Sequence, residues 1–149
     1  MKTYLQERTE YFAKALMECD ADPTKQTMAE LYGFTSEGNL IGTRTCEDVY
    51  DLLESCSAET LAMESDYLML LTQGWARAIK EEDPADSQLP VSQHPERRRV
   101  FLVLGFTNAE QWAVVGFEGE PEVAESSTGK GKLADMVSDL MERSVRGDN

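Results

Sequence analysis

The feature that most constrains this chain is a pair of strand-sized segments that are apolar on both sides. Successive side chains of an extended segment point to opposite faces. Val100, Leu102, Leu104 and Phe106 are apolar on one side, and Phe101 and Val103 on the other. Trp112 and Val114 likewise oppose Ala113, Val115 and Phe117. A sheet containing both segments needs cover on each face, so helices pack on both sides or a second subunit supplies one layer. A homodimer is therefore an expectation of the sequence.

A third apolar run, Tyr67 to Thr72, precedes these two, and Thr107 to Gln111 is short enough to join the last two as a hairpin. The connection Lys80 to Glu96 is long, polar and proline-bearing. Helical spacing dominates elsewhere. Tyr4, Leu5, Tyr11, Phe12, Ala15 and Leu16 predict an amphipathic helix over Lys2 to Cys19. Met28, Leu31 and Tyr32 predict a short one over Lys25 to Tyr32, with Gly33 at its C-terminal cap, before a turn-rich stretch from Thr35 to Thr43.

Thr45 and Asp48 resemble a capping box that opens a helix over Cys46 to Ser55, and a weak signal marks a turn at Glu59 to Met63. Leu133, Met136, Val137, Leu140 and Met141 spell the clearest helical stripe of the chain. The fold class expected is α+β: N-terminal helices, a three-stranded, mainly antiparallel sheet and a C-terminal helix packed on the sheet. One domain spans 1–149, helical over about 1–65 and sheet plus closing helix over about 66–145.

At 41% hydrophobic and 28% charged residues, the composition is that of an ordered globule rather than a disordered chain. No apolar run is long enough for a membrane span, and acids in the first twenty residues argue against a signal or transit peptide, so a cytoplasmic location is expected. The formal charge of -14 repels phosphate backbones and anionic lipid, which argues against nucleic-acid and membrane partners. Cys19, Cys46 and Cys56 form no CxxC pair and read as reduced thiols in helical contexts.

His94, the only histidine, leaves little room for zinc sites or a histidine relay, so no metal and no cofactor are expected. Arg97, Arg98 and Arg99 cluster at the start of a strand, with Arg97 and Arg99 on one face and Arg98 on the other. They either pair with surface acids or grip a carboxylate or phosphate, with His94 and Trp75 beside them. Gly129, Lys130, Gly131 and Lys132 could present backbone N–H groups and cations to an anion. They lack the glycine and the hydroxyl residue of a Walker loop, and a flexible approach to the last helix is the simpler reading.

Gln26 to Asn39 can be fitted to a helix-turn-helix, although Gly38 and Asn39 interrupt its second helix and residues 1–66 hold 14 acids against 5 bases. Glu118, Glu120, Glu122 and Glu125 form an acidic edge, and Glu81, Glu82, Asp83 and Asp86 another; neither has the spacing of a calcium loop.

Gly74, Trp75 and Ala76, followed by Ser92, His94, Pro95, Glu96, Arg97, Arg98, Arg99 and Val100, resemble a segment of a family of small uncharacterised actinobacterial and phage proteins. The resemblance covers about 30 residues. It implies that the end of the Trp75 strand, the loop and the arginine-led strand form one unit, and it implies no catalytic role. Because every catalytic template fails on missing residues, the expected function is a non-enzymatic accessory or protein-interaction domain. The alternatives are an anion- or ligand-binding domain built on Trp75, His94, Arg97, Arg98 and Arg99, a small enzyme of another type, or an acidic inhibitor of a basic protein.

Overall fold

The computed structural model describes residues 2–18, 29–76, 98–129 and 131–146. The elements run α1 (Tyr4–Glu18), β1 (Ala29–Phe34), β2 (Leu40–Cys46), α2 (Val49–Glu54), α3 (Cys56–Glu64), β3 (Tyr67–Ala76), β4 (Arg98–Phe106), β5 (Gln111–Phe117), β6 (Glu125–Ser127) and α4 (Lys132–Arg146). All six strands join one sheet in the order β2-β1-β3-β4-β5-β6, and every pairing is antiparallel.

The chain is α+β, but the expectation of three strands is wrong. The predicted helix over Lys25 to Tyr32 is the main source of the error. Residues 25–28 lie outside the described residues, and Ala29–Phe34 is strand β1. Its Leu31 and Tyr32 fit a helical stripe, yet they also fit a period of two: Leu31 belongs to one core and Phe34 to the other, with Tyr32 packed beside Phe34. Gly33 is no helix cap. It lies mid-strand because α3 crosses there; an added Cβ would sit 2.8 Å from Leu61 Cδ1 and would also meet Ser65. The turn-rich stretch folds into the β1–β2 hairpin, which also removes the helix-turn-helix reading. β6 adds the sixth strand at the far edge.

Other boundaries move by a few residues. Asp48 caps α2 by accepting from the Tyr50 and Asp51 amides, while Cys46 ends β2. The weak turn at Glu59 to Met63 is a full helix, α3, capped by Ser55. Thr3 and Gln6 form a reciprocal capping box at the start of α1. The closing helix and the β4–β5 hairpin stand as expected. Cys19 lies outside the described residues; Cys46 and Cys56 are free thiols, the first in a strand rather than a helix.

The demand for cover on both faces is met within one chain. On one face α1 lies over β4 and β5 with Leu5, Thr9, Ala13 and Met17 buried, a stripe rotated from the predicted one. Gly105 lets it approach closely, since a Cβ there would lie 2.9 Å from Leu5 Cδ1. Buried Thr9 satisfies its hydroxyl on the Leu5 carbonyl at 2.7 Å. On the other face α2, α3 and α4 enclose the larger core, including Leu31, Leu53, Leu61, Leu68, Leu70, Leu104, Val137 and Leu140. Each of these aliphatic side chains contributes about 1.5–3 kcal/mol by leaving water. No helix among the described residues is long and apolar enough to cross a membrane.

Candidate functional site

His94 and Arg97 lie outside the described residues. Of the remaining arginine cluster, strand pairing sets Trp75 directly across from Arg99 and Ala76 across from Arg98, while the loop between the two strands lies outside the described residues. Arg99 does not lie on open surface. It is 3% exposed, with Nη1 3.5 Å from Gln73 Oε1, and its carbonyl accepts from the Glu118 amide at 3.0 Å. By alternation it sits on the α1 face with Phe101 and Val103. The structure thus brings Trp75 and Arg99 to one register position, with Arg98 one step along, opposite Ala76.

A second locus lies where α1 meets the part of the sheet it does not span. Tyr4, Arg8 and Tyr11 fall at helical spacing next to the buried stripe. The Arg8 guanidinium carbon lies 5.8 Å from the Tyr4 ring centre, 5.9 Å from Tyr11 and 5.6 Å from Phe12. The rings continue across the sheet: Tyr4 meets Tyr67 edge-on at 5.5 Å, Phe12 meets Phe34 at 5.7 Å, and Phe34 stacks on Tyr32 at 6.4 Å. Tyr4 is 45% exposed, Tyr11 64%, and Leu40, the cross-strand partner of Phe34, 57%. Tyr32 donates its hydroxyl proton to Glu30; burial first, and that bond second, push the phenol up to about 12.

The apolar stripe expected from the sequence includes Tyr4, Tyr11 and Phe12, whereas Tyr4 and Tyr11 are exposed. The i, i+4, i+7 spacing of Tyr4, Arg8 and Tyr11 was the available signal.

The opposite rim of α1 is tied down by polar groups. Lys2 Nζ bonds Glu10 at 2.7 Å; Trp112 donates its indole N–H to Ser126, and Ser126 donates to Glu10, each at 2.7 Å. The Lys2 bond, then that of Ser126, hold the Glu10 carboxyl below its usual range, and Glu10 raises Lys2 in turn.

The third locus is a cleft of about 590 Å³ on the α4 face. Leu102 and Leu104 of β4, beside their partners Val115 and Ala113 of β5, form its floor. Tyr50 and Leu133 wall it, and Glu125, Ser127, Thr128 and Lys132 line it. Lys132, from the glycine and lysine motif, holds its ammonium 4.7 Å from the Tyr50 ring centre. Lys130 lies outside the described residues, as does the acidic run at 81–86. On the other acidic edge, Glu122 pairs with Lys14 at 3.4 Å. No group of three or more metal-ligating side chains occurs among the described residues.

No known family model, curated protein or solved structure matches this chain.

Proposed function

We propose that this chain is a non-enzymatic protein-interaction domain whose contact surface is the aromatic step around Arg8. The observation that carries the reading is the pair of exposed rings, Tyr4 and Tyr11, around a guanidinium packed against three rings, with exposed Leu40 paired across the strands to Phe34. Tyrosine and arginine are the side chains that concentrate binding energy at protein interfaces. Their rings offer large contact area for little loss of side-chain freedom, and stacking on one another already restrains them. The net charge of -14 steers the domain toward a basic protein surface and works against a second copy of itself.

The test compares the parent with an Arg8→Ala, Tyr11→Ala variant in affinity capture from the source cell, alongside sedimentation equilibrium. The expected result is a protein with a basic surface captured by the parent and lost by the variant, at a melting midpoint changed by only a few degrees. Equal capture by both proteins overturns the reading. A dimer that dissolves in the variant would instead make the homodimer the function of this surface.

A further inference from the structure

We propose that the cleft beneath the first turn of α4 binds a small amphipathic carboxylate, its apolar body on the β4–β5 floor and its head group at Lys132. The inference is independent of the aromatic step, which lies on the other face of the sheet. Its volume of about 590 Å³ falls in the range of small-molecule sites, roughly 300–1,000 Å³. Leu102, Ala113 and Val115 are only half-buried, so part of the floor is an apolar strip still in reach of water. Such a strip inside a concavity gains from any apolar group that displaces its water.

The charges at the rim decide the head group. Glu125 also lines the cleft, where Ser127 Oγ donates to its Oε1 at 3.2 Å, and its negative charge is the competing pull that the decylamine arm of the test measures. Lys132 has no carboxylate within ion-pair distance among the described residues; its ammonium rests on the face of Tyr50. An incoming carboxylate gains a charge-assisted partner there and breaks no ion pair to obtain it. Lys132 is also the first residue of the fifteen-residue α4, so the positive end of the helix dipole adds to the same side of the cleft.

The test titrates the full chain with decanoate, decanol and decylamine below their micelle concentrations, followed by calorimetry. Decanoate is expected to bind about tenfold tighter than decanol, the margin of one hydrogen bond to a charged group. Lys132→Gln should erase that margin and leave decanol binding unchanged. Ala113→Leu, which fills the floor, should weaken both; because Lys132 is exposed, Lys132→Gln remains informative even if Ala113→Leu folds poorly. Tighter binding of decylamine than decanoate, an undiminished margin in Lys132→Gln, or no binding by any of the three would each overturn the proposal.

Discussion

Trp112 and Glu10 are joined through one hydroxyl: Ser126 accepts the indole N–H and donates to the carboxylate, both at 2.7 Å. This bridge, together with Lys2 on the same carboxylate, ties α1 to β5 and β6. Because Glu10 is held below the ordinary carboxylate range, the unfolded chain takes up the proton first as pH falls. The stabilisation is present above the unfolded pKa and is lost as pH falls through the folded one. Urea unfolding at a series of acidic pH values should therefore show a steeper loss of stability in the parent than in Glu10→Gln. Parallel curves would remove Glu10 from the account.

Tyr32 makes the opposite kind of contribution at the alkaline end. Its phenol stays protonated up to about 12 in the fold, above the usual value of about 10. Between those values the unfolded chain has lost a proton that the native state keeps, so stability falls as pH rises through that window. Tyrosinate absorbance should show Tyr32 titrating late, and its loss in Tyr32→Phe assigns the signal. Glu30→Gln should bring it partway back, since burial is the larger cause and remains.

Gly105 is one of two strand glycines, with Gly116, on which α1 packs closely. A methyl group at that position meets Leu5 and Thr9 and forces the helix outward. Gly105→Ala should destabilise the protein by about 1–3 kcal/mol, the usual effect of overpacking. A urea midpoint equal to that of the parent would mean that α1 shifts freely.

Arg99 should behave as a core residue. An exposed ion pair contributes about 0–1 kcal/mol. At 3% exposure, Arg99→Ala instead removes the packed stem and leaves Gln73 without this contact, so a loss of about 2 kcal/mol is expected. Thermal unfolding of this variant beside the parent reads the loss, and an unchanged midpoint would rule out a core role for Arg99.

Local pattern was sufficient where one element's own side chains decide its fate. The stripe from Leu133 to Met141 could only be a helix with one buried face. The double-sided apolar runs at Val100 to Phe106 and Trp112 to Phe117 required a layer on each side of a sheet, and both layers are present. Ala29 to Phe34 is a different case, because six residues with Leu31, Tyr32 and Phe34 satisfy either period. The choice fell to partners distant in sequence: β3 beside it, and Leu61 of α3 pressing on Gly33. The sites were less legible still. The cleft draws its floor from β4 and β5, one wall from α2 and its cation from α4, and no window along the chain contains them together. Periodicity reports which side of its own element a residue occupies. Packing alone decides whether a neighbour from elsewhere covers that side fully, as α1 does over Gly105, or only in part, as at Val115.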